Sequence, residues 1–68
     1  MIDPNEIEIS IDHIVGSDRG YHVKVNVPDI EWTVAVCTYP KDAKFLQDAL
    51  VIVKTMVPLM FVEWAGER

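Results

Sequence analysis

Cys37 and His22 are the nucleophile and the base whose positions in this 68-residue chain could support catalysis. In the strand pairing argued below they lie opposite each other on neighbouring strands, and a Cys-His pair can generate a reactive thiolate. The sequence places no Asn or Asp to orient the imidazole, no glycine-rich elbow and no evident oxyanion donor. We therefore expect no catalytic site, with Cys37 a small apolar residue under a helix or a partner and His22 a surface residue.

Metal and cofactor sites are not expected either. The strand pairing puts His13 on the core face opposite Val23 and His22 on the other face, so the two imidazoles cannot share a metal ion. Cys37 is the single cysteine, which excludes an internal disulfide, and no Cys/His cluster has zinc spacing.

Composition points to a protein partner. Half of the residues are apolar, which is more than a 68-residue chain without a disulfide can easily bury, so we expect a homo-oligomer or a stable complex. The net charge of -5, from 6 basic and 11 acidic residues, argues against nucleic-acid binding. It leaves two alternatives open, a basic protein partner or charge that only keeps the chain soluble.

Localisation is predicted from the first residues and from the apolar stretches. The chain begins Met-Ile-Asp-Pro-Asn-Glu, without the basic region and apolar run of a signal peptide. The longest apolar stretches are interrupted by Lys54, Thr55 and Pro58, so we expect no membrane span and a cytoplasmic protein.

The clearest strand signal is the run from Gly20 to Ile30. Apolar and polar side chains alternate from Tyr21 to Val27, which is typical of a half-buried strand, and Pro28-Asp29 should end it. After a tail over residues 1–5, the same alternation predicts a first strand from Glu6 to about Val15.

We predict the pairing of these two strands from their apolar faces and the glycine-rich turn between them. A three-residue loop over residues 17–19 is a common hairpin length and keeps the apolar faces together. It also sets Asp12 opposite Lys24, a favourable pair of charges. The predicted core-face pairs are Val15 with Tyr21, Ile11 with Val25, and Ile9 with Val27.

A third strand is predicted from Glu31 to about Tyr39. A two-residue loop at Pro28-Asp29 is disfavoured because hairpin turns need positive φ where proline is fixed at negative φ. A four-residue loop over residues 28–31 should pair Val27 with Trp32, Val25 with Val34, and Val23 with Val36.

A helix over residues 40–56 is predicted next, since proline suits the first helical turn and Asp42 suits the helix dipole there. Its core stripe should be Leu46, Ala49, Leu50, Val53 and Val57. Pro58 should end the helix, so residues 59–64 read as a short fourth strand or, as the less favoured alternative, a kinked helical continuation. The expected fold is one small α+β domain over residues 1–68, β-β-β-α-β, with the helix packed on one sheet face.

Three consecutive segments resemble the amino-terminal domain of HicB antitoxins. They are residues 20–30 (Gly-Tyr-His-Val-Lys-Val-Asn-Val-Pro-Asp-Ile), the predicted third strand, and residues 42–50 (Asp-Ala-Lys-Phe-Leu-Gln-Asp-Ala-Leu). Residues 31–33 and 38–40 depart from the family's pattern, and no part of these 68 residues resembles the DNA-binding module that is frequent in the family. The resemblance implies a partial RNase H-like sheet whose last strand runs parallel to the first, in the order 3-2-1-4.

Two binding surfaces are predicted. Acidic positions with nearby aromatic residues could meet a basic partner: Glu6, Glu8, Asp12, Glu31, Trp32 and Tyr39. Apolar positions beyond the core stripe could form an oligomer interface: Phe45, Ile52, Met56 and Met60. The expected function is a non-enzymatic, antitoxin-like or phage-type inhibitor that blocks a basic nuclease or other host protein. The alternative is a structural or assembly protein that acts through homo-oligomerisation.

Overall fold

The computed structural model describes residues 3–28 and 30–67 as a three-stranded antiparallel sheet followed by two helices. The α+β class is therefore confirmed. The elements are a 3-10 helix at Pro4–Glu6, strands β1 (Glu8–His13), β2 (Tyr21–Val27) and β3 (Ile30–Cys37), and helices α1 (Pro40–Met56) and α2 (Pro58–Glu67). The predicted tail falls partly on residues 1–2, which lie outside the described residues. At residues 4–6 the 3-10 helix replaces both the tail and the predicted start of the first strand.

The pairing of β1 with β2 differs from the predicted pairing by two residues. Ile9 lies opposite Val25 and Asp12 lies opposite His22. The connecting loop is longer than predicted, because the Ile14 amide donates to the Gly20 carbonyl at 2.7 Å and closes the hairpin there. Gly16 supplies the positive φ of 89° that this loop requires. The three-residue loop was wrong, although both strands keep their predicted faces.

The β2–β3 connection is shorter than predicted. Val27 pairs with Ile30, so two residues, Pro28 and Asp29, join the strands; Asp29 lies outside the described residues. The pairing then shifts at a β-bulge, because Lys24 faces Thr33 while Val23 faces Ala35, and Val34 is passed over. The bulge shifts the alternation of β3 by one residue. Val36 therefore lies opposite His22 and is exposed, not in the predicted core position.

Helix α1 begins and ends as predicted, and its predicted core stripe is confirmed in part, since Leu46, Ala49 and Leu50 are partly buried. Pro40 occupies the first turn, and Ala43 is its buried residue. Two predicted polar positions face inward: Gln47 Nε2 donates to the Ile9 carbonyl at 2.8 Å, and Lys54 Nζ donates to the Ile7 carbonyl at 2.9 Å. Val53 and Val57, which were placed in the core stripe, are exposed.

The predicted fourth strand was wrong, and with it the strand order 3-2-1-4. Pro58 starts a second helix instead, at the position where a missing amide hydrogen costs least. The chain bends by 118° at the break, where Val57 has φ -133° and ψ 63°. Phe61 and Ala65, four residues apart, are buried, which is the spacing of a helix face. The kinked helical continuation was the correct alternative.

The core joins β2 and α2. Val25 and Val27 pack with Ile7, Phe61, Val62 and Ala65, and the partly buried Leu50 of α1 contacts this cluster. Within residues 3–28 and 30–67 no single helix has the length and apolar content needed to cross a membrane, and α1 with α2 meets those criteria only as a bent pair.

Candidate functional site

Cys37 and His22, the candidate nucleophile and base, do not lie opposite each other. Cys37 lies opposite Tyr21, and His22 lies opposite Val36, so the β-bulge puts the thiol and the imidazole on opposite faces of the sheet. Cys37 is a partly buried free thiol. The expected pairing of Cys37 with His22 was therefore wrong, and its cause is the one-residue shift in β3.

His13 stacks on Tyr21 at the end of the sheet, with ring centroids 4.3 Å apart and ring planes 2° from parallel. Its predicted partner, Val23, lies opposite Ile11 instead, and the His13 side chain is exposed. Among the described residues, no group of three His, Cys, Asp or Glu side chains is placed to hold a metal ion.

Three of the predicted acidic positions share one face of the sheet, the outer face. Glu8, Asn26 and Glu31 form one row across the strands, and Asp12 lies in the row that contains His22 and Val36. Asn26 Nδ2 donates to Ser10 Oγ at 2.9 Å. Glu8, Asp12 and Glu31 therefore lie on the same face of the sheet, as the alternation predicted.

Lys24 lies at the centre of the outer face and partly neutralises it. Its Nζ lies 2.7 Å from Asp12 Oδ2 and 3.0 Å from Glu31 Oε1. The hydrogen bond from Lys24 and the nearby positive charge lower the pKa of Asp12, and the bonds to Asp12 and Glu31 raise the pKa of Lys24. Two of the predicted acidic positions are thus already paired within the chain.

The other predicted partner-binding residues lie elsewhere. Glu6 belongs to the 3-10 helix that precedes β1. Trp32 pairs with Val25 on the core side of the sheet and contacts Trp64, with ring centroids 5.1 Å apart. Tyr39 is exposed and precedes α1 as its N-cap. The six predicted positions do not form one surface.

The two helices form an exposed apolar groove. A groove of about 250 Å³ lies between α1 and α2. It is lined by Leu50, Val53, Val57, Met60, Phe61 and Trp64. Contiguous exposed apolar patches often mark interaction sites.

The four predicted oligomer positions are exposed, and one of them, Met60, lines this groove. Phe45 exposes 72% of its surface and Met56 exposes 75%, and Ile52 and Met60 are also exposed. On α1, residues three and four positions apart are neighbours, so Met56 adjoins the groove residue Val53 and Ile52 in turn adjoins Met56. We call the set the apolar helical surface: Phe45, Ile52, Val53, Met56, Val57, Met60 and Trp64.

Sequence reasoning missed three members of this surface. Val53 and Val57 were placed in the core, and Trp64 was placed in the predicted fourth strand. The spacing of Met60 and Trp64, four residues apart like Phe61 and Ala65, was the available signal for a second helix with one buried and one exposed side.

Comparisons of this chain with protein-family models, with curated proteins and with solved structures find no match. The resemblance to the HicB amino-terminal domain therefore stays a prediction.

Proposed function

We propose that this chain is a non-enzymatic protein-binding module and that the apolar helical surface is its binding surface. The observation that carries the proposal is the continuity of the groove between α1 and α2 with exposed residues along α1, such as Ile52 and Met56. No member of this surface is charged. Depletion of charge and enrichment in Met and aromatic residues are typical of the centre of protein interfaces.

The size of the surface supports a protein as the occupant. Scaled by typical residue areas, the exposed fractions of its seven side chains amount to about 800 Å², which is one partner's share of a standard protein interface. Monomeric proteins rarely expose a contiguous apolar patch larger than a few hundred Å².

The orientation of α1 belongs to the same proposal. We place α1 against the sheet face that carries Val25 and Val27. This placement is supported by the contact of Leu50 with the core, by the hydrogen bond of Gln47 to the Ile9 carbonyl of β1, and by that of Lys54 to the Ile7 carbonyl just before β1. Phe45, Ile52 and Met56 then point away from the sheet, where a partner can reach them.

The antitoxin-like or phage-type inhibitor of a basic nuclease is the second candidate. It is favoured by the common position of Glu8, Asp12 and Glu31 on the outer face. It ranks second because Lys24 pairs with two of these carboxylates, which reduces the negative potential offered to a basic partner.

Site-specific photocrosslinking tests both candidates. The photoreactive amino acid p-benzoylphenylalanine replaces Met56 on the apolar helical surface or, as the matched control, the exposed Thr33 on the outer face. Each chain is irradiated in the cells that naturally produce it, and the adducts are resolved by mass.

We expect a discrete protein adduct from position 56 and none from position 33. An adduct from position 33 alone would replace the proposal with the second candidate. Absence of protein adducts from position 56 would contradict the proposed surface.

A further inference from the structure

The exposed stripe on α1 has the spacing of a coiled-coil seam. Phe45, Ala49, Ile52 and Met56 follow one another at intervals of four, three and four residues, which are the alternating d and a positions of a heptad. Phe45, Ile52 and Met56 are exposed, so this seam is not used within the chain. A stripe with this spacing is suited to packing against the same stripe on another helix.

We infer that the occupant of the apolar helical surface is a second copy of this chain, with the two α1 helices packed antiparallel about a two-fold axis. The inference rests on the proposed function and names the partner of that same surface. In the antiparallel arrangement, Phe45 of one copy meets the second copy's Met56, and Ala49 meets the second copy's Ile52. In the two central contacts the large Ile52 of one copy faces the small Ala49 of the other, so the seam is complementary to itself.

The area and the stability of the chain both favour a second copy. The whole apolar helical surface exposes about 800 Å², which is the contribution that each subunit makes to a standard dimer interface, and the seam residues supply about half of that area. A chain of 68 residues without a disulfide needs an additional source of stability, and oligomerisation is one of the usual ones. The net charge of -5 on each copy opposes association, but no residue of the seam is charged, so the contact itself brings no like charges together.

Sedimentation of the purified chain tests the inference. We expect the wild-type chain at low micromolar concentration to have twice the 7.7 kDa mass of one copy. Ile52→Glu should give a folded monomer, because it places a charge at the centre of the seam. Val51→Glu is the matched control, since Val51 is exposed on the same helix but lies off the seam, and this variant should stay dimeric.

Disulfide trapping tests the direction of the pairing without relying on a charged variant. In a Cys37→Ser background, chains carrying Phe45→Cys are mixed with chains carrying Met56→Cys and oxidised. Antiparallel pairing predicts that the mixed disulfide exceeds either homodimeric disulfide. Predominance of the Phe45→Cys homodimer would show parallel pairing and overturn the arrangement.

The outcomes separate this inference from the proposed function. A wild-type chain that sediments as a monomer would overturn the second copy as occupant, while a crosslink from position 56 to a protein of another mass would still support a binding surface there. A monomer that floats with phosphatidylcholine vesicles would assign the surface to lipid and overturn both.

Discussion

Gly20 closes the first hairpin at a point where a residue with a Cβ atom does not fit. A Cβ atom built on Gly20 would lie 2.5 Å from the Ile14 carbonyl oxygen, which is a backbone atom and cannot turn away. We predict that Gly20→Ala lowers the free energy of unfolding by about 1–3 kcal/mol, because the hairpin must shift to accept the methyl group. Urea denaturation of the variant and the wild type measures the difference.

Alanine substitutions at the two other glycines serve as comparisons for this prediction. Gly66 has open space around its Cβ position and lies in α2, so Gly66→Ala should be neutral or stabilising by up to about 1 kcal/mol. Gly16 also has open space, but its φ of 89° strains an alanine by about 1–2 kcal/mol. A Gly20→Ala variant as stable as Gly66→Ala would contradict the close approach at Ile14.

Lys24 makes the stability of the sheet depend on pH at both ends of the range. Its hydrogen bond holds the pKa of Asp12 in the folded chain below the ordinary 3.8. The contribution of this bond to stability is therefore present above about pH 3.8 and is lost as the pH falls through the pKa that Asp12 has in the folded chain. Its bonds to Asp12 and Glu31 raise the pKa of Lys24 in the folded chain above the ordinary 10.5. The contribution of these bonds to stability is therefore present below about pH 10.5 and is lost as the pH rises through the pKa that Lys24 has in the folded chain.

We therefore predict that the difference in unfolding free energy between the wild type and Lys24→Met is greatest near neutral pH. It should narrow in acid, as Asp12 is protonated, and again in strong base, as Lys24 loses its proton. Lys41→Met is the control, because Lys41 is exposed and makes no ion pair with the described residues. Equal pH profiles for the two variants would show that the ion pairs contribute nothing specific.

At the scale of elements, the sequence predicts which face of the sheet each strand side chain lies on better than it predicts which residues pair across the strands. A slip of one residue would send Ile9 and Ile11 to the polar face, so the alternation excludes it. A slip of two residues keeps every side chain on its face, and only the loop geometry at Gly16 and Gly20 decides between the two pairings. The bulge at Val34 is likewise invisible in an apolar stretch where a bulged and a regular strand read alike.

Pro58 shows that local sequence is likewise insufficient to predict how the helical part of the chain continues. A proline after an apolar helix predicts a break equally well whether the next segment is a strand or a second helix. The burial of Phe61, Val62 and Ala65 against β2 is a tertiary contact, which local propensity does not contain. The candidate site on the helices was therefore predicted only in part, through Phe45, Ile52, Met56 and Met60.

Two substitutions in α2 separate the helix from the strand that the sequence suggested. In a helix, Phe61 is buried and Leu59 is exposed, whereas in a strand the two side chains would share one face. We predict that Phe61→Ala costs about 3–5 kcal/mol of unfolding free energy. Leu59→Ala should change it by about 0.5 kcal/mol or less.

A milder substitution keeps this test informative if Phe61→Ala does not fold. Phe61→Leu retains most of the buried apolar volume, so its cost should be about 1–2 kcal/mol and measurable by urea denaturation. Equal costs for the substitutions at positions 59 and 61 would contradict the helix.

At the scale of the whole molecule, the chain is extended for its length. Its radius of gyration is 12.1 Å, against about 11 Å expected for 68 residues, and its extents are 38 × 23 × 16 Å. The bend at Val57 joins α1 to α2 without burying the outward side of either helix. A second copy on the apolar helical surface would give a more compact particle and bury side chains that the single chain leaves in water.

If the second copy contributes to stability, unfolding and dissociation occur together. The melting temperature must then rise with protein concentration, since mass action favours the dimer. With an unfolding enthalpy of about 0.7 kcal/mol per residue, two chains give on the order of 100 kcal/mol and an expected rise of about 5 °C for each tenfold increase in concentration. Circular dichroism melts over two decades of concentration measure this slope.

Ile52→Glu supplies the internal control for the melting experiment. Because Ile52 is exposed in the single chain, the variant should fold, melt at a lower temperature than the wild type and show no dependence on concentration. Val51→Glu should keep the slope of the wild type. A wild-type melting temperature that does not move with concentration would mean that one copy of the fold is stable by itself, and that the seam on α1 contributes nothing to its stability.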